Sequence, residues 1–399
     1  MWFPLLMMVA GISLVPNATV SVNIVGIPQG TAPSITVRAP SGERVVRSTP
    51  EALADLRFTE AGTYRISGTS FRAPDGLIDA IYDPQPELVA EVAPNETTTL
   101  TFRYAKRPGT GLLWITSVRT RDDDDFTRAT IRAFRLGDGQ RPTIEQVHVI
   151  ETGPRLDYGS ILPDGTFLFS DSWDVTKVMR LDTRQPSAAS VRPAGDAEPR
   201  AINRDPSGRI WLSDDAVARA YRPTADGQLG SPVIELTRDE ESDSKPDLSM
   251  LVFLHDGSMV VRGSEGLTVV PAAELNRSHV VRPTNWRAMP YATTGYGAVD
   301  ASGDLWFANE NGAVVRVTKA QLEGSGPITP QEYMVEFGCN ALTFDAEGGV
   351  LAFVRATGDL WRLPPGGSAF AKIGNLGTGF ATWSIPVLNP PAVGTPVAA

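Results

Sequence analysis

Five segments of this chain share one pattern: an apolar run, a turn carrying Asp or Gly, and a second apolar run ending in a polar residue. They read SILPDGTFLFSD (160–171), AINRDPSGRIWLSD (201–214), LVFLHDGSMVVRG (251–263), GAVDASGDLWFAN (297–309) and ALTFDAEGGVLAFV (341–354). The turn glycines Gly165, Gly208, Gly257, Gly303 and Gly348 are spaced by 43, 49, 46 and 45 residues. That period matches a four-stranded unit that cannot bury its own faces and must stack on copies of itself. Two more strand-like runs follow each core, as in AVARAYRP (216–223) and SPVIELTR (231–238).

A sixth copy stands at 111–150, where GLLWITS is followed by ATIRAFRL and TIEQVHVI. It lacks an innermost strand, and TGFATWSIPV (378–387) is the segment left to supply one. Such a closure pairs two strand edges that would otherwise be exposed. The expectation is an all-β chain whose residues 108–388 form a six-bladed β-propeller, closed by a C-terminal strand in the first blade. The tail 389–399 is rich in Pro and Ala and reads as an extended end.

Before the repeat, residues 19–105 alternate apolar and polar positions in VSVNIVGI, SITVRAP, GTYRISG, ELVAEVAP and TTTLTFRYA. This is the pattern of a small antiparallel β-sandwich. The placing of Gly26, Pro28 and Gly30, of Val37, Pro40 and Gly42, of Ala61, Gly62, Thr63 and Tyr64, and of Val92, Thr99 and Tyr104 resembles Ig-like or transthyretin-like modules of bacterial surface proteins. The resemblance implies a spacer or docking unit without chemistry. Residues 1–18 open with an apolar run of signal-peptide length but lack a basic n-region. An export signal is the leading reading, with an uncleaved anchor and a buried first strand as alternatives.

The cores centred on Asp205–Asp214 and Asp300–Asn309 resemble those of NHL-like and SMP-30/gluconolactonase-like six-bladed propellers, which include sugar lactonases and streptogramin lyases. In such propellers the ligand face gathers the entries to the innermost strands and the turns between second and third strands. That places Asp157, Tyr158, Glu198, Arg200, Asp247, Tyr296, Asn340 and Trp383 near the channel mouth, with Trp173 and Arg355 in the outer loops. Asp157, Glu198, Asp247 and Asn340 form a candidate oxygen set for Ca²⁺ or Mg²⁺. Tyr158, Arg200, Tyr296, Trp173 and Trp383 are candidates for stacking on a glycan or packing against a protein. Trp114, Trp211, Trp306 and Trp361 fall within the strands and read as core.

Composition excludes several functions. With 46 acidic against 36 basic residues the net charge is −10, and a nucleic-acid backbone finds no basic surface. One cysteine, Cys339, and three dispersed histidines leave neither a disulfide nor a cysteine- or histidine-based metal site. The resemblance brings no catalytic histidine with it, because His255 falls in a turn on the opposite face and His148 in an outer strand. The aspartate run 122–125 and the acidic insertion 238–247 read as solvated loops. The expected function is a non-enzymatic, extracytoplasmic binding protein that holds a protein or glycan partner and needs no cofactor. A divalent-cation-dependent lactonase or lyase is the alternative, and a structural subunit of a surface assembly the second.

Overall fold

A computed structural model describes residues 17–54, 56–119, 128–137, 143–152, 156–161, 166–171, 177–195, 199, 201–214, 216–224, 228–239, 246–263, 266–281, 286–288, 293–309, 312–377 and 386–387. These residues are nearly all β and divide into two compact units. One comprises the chain up to Ala73 together with Ile81–Arg107; the other comprises Pro74–Ala80 and the chain from Pro108.

The smaller unit supplies the strands of two sheets, apart from Pro74–Asp75 and Ile78–Ala80, which count with the larger unit. One runs in the order Arg57–Glu60, Asn17–Val25, Thr97–Lys106, Ile78–Pro84, Phe71–Asp75, and the other in the order Arg44–Arg47, Ile35–Arg38, Gly62–Gly68, Leu88–Val92. Alternation decides which side chains go inward: Ala18, Val20 and Val22 are buried along the first strand, and Phe102 and Tyr104 along its parallel partner. The Tyr64 hydroxyl donates to the Glu60 carbonyl at 2.8 Å, so its phenol end is satisfied where the ring is buried. The strands at 44–47, 57–60, 71–75 and 78–84 lie between the alternating runs recognised in the sequence.

In the larger unit six sheets follow one another among the described residues. Five are antiparallel meanders in chain order, opening with Leu156–Ile161, Ala201–Arg204, Pro246–Phe253, Thr293–Val299 and Ala341–Phe344. The sheet that opens with Ala201–Arg204 gains a fifth strand, His279–Val281, parallel to Ile234–Arg238. The remaining sheet combines Ile144–Glu151, Arg128–Leu136 and Leu113–Arg119 with Pro386–Val387 from the far end of the chain. Trp114 pairs with Val387 and Ile115 with Pro386, antiparallel.

Each neighbouring pair of sheets encloses its own core. Trp114 and Ile131 meet Phe167 and Phe169; Leu168 and Val178 meet Ile210 and Leu212; Trp211 and Leu236 meet Met259 and Val261. Val260 and Leu267 meet Leu305 and Phe307, and Trp306 and Val314 meet Val350 and Ala352. Leu351, Phe353 and Leu360 of the last sheet then meet Leu113, Ile115 and Phe134 of the first, with Leu77 and Ile78 packed beside them. Successive residues of each second strand thus enter different cores, so these strands are apolar without alternation. This cyclic stacking of sheets is the arrangement of a β-propeller.

The repeat turns join first to second strands. Gly208, Gly257, Gly303 and Gly348 all have φ between +85° and +91°, a left-handed conformation that a side chain disfavours. Gly165 lies outside the described residues. The aspartate of the motif does more than shape its hairpin. The Asp205 carboxylate accepts from the Ser207 hydroxyl (2.7 Å), the Arg209 Nε (2.6 Å) and backbone N–H (3.0 Å), and the Trp211 indole N–H (2.9 Å). Asp300 takes the Trp306 indole at 2.8 Å, and Asp345 takes the Arg362 Nε at 2.5 Å. Arg209 and Arg316 also lie over the rings of Trp211 and Trp306, at 5.6 and 5.3 Å from their centroids.

Candidate ligand face

In a meander, the entries to the first strands and the turns from second to third strands share the end opposite these Asp-centred turns. The closing polar residue of the motif caps that end. Asp214 Oδ1 accepts from the backbone N–H groups of Ala216 and Val217, both at 2.7 Å, and Asn309 Oδ1 accepts from Ala313 N–H at 2.9 Å. A side chain that mimics a turn in this way explains why Asp or Asn recurs there. Beside these caps, the buried Ser170 and Ser213 hydroxyls and the Asn309 Nδ2 have no hydrogen-bond partner.

Three of the first strands are lengthened at this end. Between the pairs Leu156↔Asp171 and Gly159↔Phe169 the inner strand advances three residues against two. Between Thr293↔Asn309 and Gly297↔Phe307 it advances four against two, and between Asp247↔Arg262 and Leu251↔Val261 four against one. Ala201–Arg204 and Ala341–Phe344 pair without a break. Extra residues of this kind bend a strand and re-aim its side chains. Asp157, Tyr158 and Tyr296 sit inside such breaks, and Asp247 borders one.

Of the candidate site residues, Asp157, Tyr158, Asp247 and Tyr296 are placed by their backbones at the entries of three different first strands. Their side chains, and the whole of Glu198, Arg200, Trp173 and Trp383, lie outside the described residues. Asn340 is described in full. Its N–H donates to the Phe353 carbonyl at 2.9 Å and its Oδ1 accepts from the Arg355 N–H at 2.9 Å, clamping a strand entry to the neighbouring turn. Among the described residues no three His, Cys, Asp or Glu side chains gather as a metal site.

Arg355, beyond that clamp, is partly buried, and burial pushes its guanidinium pKa down. Among the described residues no carboxylate pairs with it. The next acidic residue along the chain, Asp359, is engaged by Lys372 Nζ at 2.7 Å and Asn375 Nδ2 at 2.6 Å. Burial pushes the Asp359 carboxyl up, yet these donors and Thr357 hold it below its ordinary value.

Cys339, before Asn340, is a packing residue. It is buried between the last two sheets, its thiol contacts the Ala341 carbonyl at 3.3 Å, and burial pushes its pKa up to about 12. A nucleophilic thiol needs the opposite environment. Trp114, Trp211 and Trp306 are buried and Trp361 packs against the same core as Trp306. Two side chains at this end have no signal in the sequence pattern. Met334 and Phe337 stand 70% and 68% exposed just before the clamp, and Phe337 has φ +63°.

No protein-family model matches the chain, and no curated protein matches it. Solved structures do. A virginiamycin B lyase from Staphylococcus aureus is 14% identical with a TM-score of 0.41, over 68% of this chain and 86% of that one. The structure of a nidogen/laminin complex is 10% identical with a TM-score of 0.45, over 70% and 100%. A calcium-binding protein, regucalcin, from Agrobacterium tumefaciens is 14% identical with a TM-score of 0.42, over 60% and 79%. Among the described residues no helix is long and apolar enough to cross a membrane.

Proposed function

We propose that this protein is a non-enzymatic binding protein, working outside the cytoplasm, in which a six-bladed propeller presents its loop face to a protein or glycan partner. In this reading the two sheets of the smaller unit form an Ig-like sandwich that acts as spacer or dock. The apolar run that opens residues 1–18 acts as the export signal, and Asn17 and Ala18 belong to the first strand of the smaller unit. Tyr158, Arg200, Trp173, Tyr296 and Trp383 supply aromatic and hydrogen-bonding contacts to the partner.

One observation carries the choice of binding over metal chemistry. Asn340 is the candidate cation ligand whose side chain is described, and one of the two lone pairs of its Oδ1 is already engaged by the Arg355 N–H. Within one side-chain length of Asn340, Arg355 also brings a positive charge that no described carboxylate offsets, and like charge disfavours a divalent cation there. The competing reading, a Ca²⁺- or Mg²⁺-dependent lactonase or lyase using Asp157, Glu198, Asp247 and Asn340, draws on the strand entries of Asp157, Asp247 and Asn340 opening at one end of the sheets.

The test is a glycan and peptide array probed with the chain from residue 17 onward, beside a Tyr158→Ala, Tyr296→Ala variant. Binding that survives EDTA and is lost in the variant is expected. Turnover in a lactone and ester screen that requires added Ca²⁺ or Mg²⁺ would contradict the proposal.

A further inference from the structure

The segment between the fifth and sixth sheets displays two large apolar side chains from a firmly held loop. Val335 and Cys339, both 4% exposed, anchor its ends in the core shared by those sheets. Gly338 N–H bonds to the Val335 carbonyl at 3.1 Å, and Cys339 N–H to the Gly312 carbonyl at 2.7 Å. Gly312 and Gly338 approach so closely that a Cβ on Gly312 would lie 2.3 Å from the Gly338 Cα.

Between these anchors Phe337 is held with φ +63° and its ring in solvent. A left-handed backbone costs a non-glycine residue roughly 1–2 kcal/mol, and an exposed ring returns none of it through burial. Strain without a folding return is the observation from which a role outside the fold is argued. Arg355 starts from the same end of the chain segment. Phe337 is three residues from Asn340, at most about 10 Å of chain, and the Asn340 Oδ1 accepts from the Arg355 backbone N–H at 2.9 Å, which puts the base of the cationic side chain there.

From this juxtaposition we infer that Met334, Phe337 and Arg355 form a docking patch for an extended segment of a partner protein, one that sets a single Asp or Glu carboxylate on Arg355 beside apolar side chains on Phe337 and Met334. Side chains that stand out from the surface suit a macromolecular partner, whereas a small ligand needs a concavity to bury it. Charge complementarity selects the carboxylate, because Arg355 is partly desolvated and has no described partner. The exposed Glu332 and Glu336 flank the loop and repel a broadly acidic segment, which limits the match to one carboxylate. The inference rests on the propeller face being a binding face and names the chemistry of its partner.

The test is selection of a displayed random-peptide library on the full chain, with the enriched peptides titrated against Arg355→Gln, Phe337→Gly and Tyr158→Ala, Tyr296→Ala variants. Enriched peptides are expected to pair Asp or Glu with aromatic or aliphatic residues, and to bind Arg355→Gln about tenfold or more weakly. Phe337→Gly should weaken them too while leaving the unfolding midpoint equal or higher, since it relieves strain. Peptides rich in Lys or Arg, peptides indifferent to both substitutions, or no enrichment would overturn the inference. Peptides that depend on Tyr158 and Tyr296 alone would overturn it and leave the wider binding reading standing.

Discussion

Replacing Asp205 by alanine tests how the repeat is held together. The carboxylate is 3% exposed and serves Ser207, Arg209 and the fully buried Trp211. Alanine would leave the Trp211 indole N–H unsatisfied, at about 1–3 kcal/mol. It would also leave Arg209, whose side chain is 12% exposed, without its counter-charge. Removing one member of a buried pair costs about 3–5 kcal/mol, and the two losses overlap because they share one acceptor. The expected sum is therefore about 3–5 kcal/mol, which moves a urea midpoint by roughly 1 M or more. Asp205→Asn keeps one acceptor oxygen and should cost less than half as much. The assay is equilibrium urea unfolding followed by tryptophan fluorescence, with Trp211→Phe included to close a double-mutant cycle. A loss for Asp205→Ala below about 0.5 kcal/mol would place it among ordinary surface substitutions and refute the reasoning.

Acid should expose the same hub. Burial pushes the Asp205 carboxyl up, but its hydrogen-bond donors hold it below the usual value of 3.8. Its stabilisation is complete above the unfolded pKa and is lost as pH falls through the folded one, so unfolding free energy should drop below about pH 4, and Asp205→Asn should flatten that drop. Cys339, with its pKa pushed up to about 12, should resist maleimide at pH 8 in the native chain and react fully in denaturant. Gly312→Ala combines a φ of +77° with the Gly338 overlap and should cost roughly 1–3 kcal/mol in the same urea assay. Truncation after Gly377 removes the strand that pairs with Trp114 and Ile115. Light scattering on heating should rise earlier than in the full chain, because an unpaired edge is left open.

The parts of this architecture that depend on local rules are legible in the amino-acid sequence. The turns at Gly208, Gly257, Gly303 and Gly348, the second strands without alternation and the gap at GLLWITS all follow from strand period and turn chemistry. The pairing of Trp114 and Ile115 with Pro386 and Val387 answers that gap. What sequence does not carry is which individual side chains meet across the fold. Leu77 and Ile78 lie between the alternating runs recognised in the sequence, and they pack with Leu113 and Phe353. The aspartate reads as a turn former, whereas its bonds to Trp211 and Arg209 depend on the strand folding back over it. The face is legible only as strand entries. That Asn340 Oδ1 accepts from the Arg355 N–H, and that Phe337 is held left-handed in solvent beside the close approach of Gly312 and Gly338, is encoded by no motif.

The central claim is a ligand face that works without a metal. Calorimetric titration of Ca²⁺ and Mg²⁺ into the chain from residue 17 onward, beside an Asp247→Ala, Asn340→Ala variant, tests it most directly. The account predicts no saturable heat for either cation and no difference between the two proteins. Micromolar binding that the variant loses would contradict it and move the face to the cation-dependent reading.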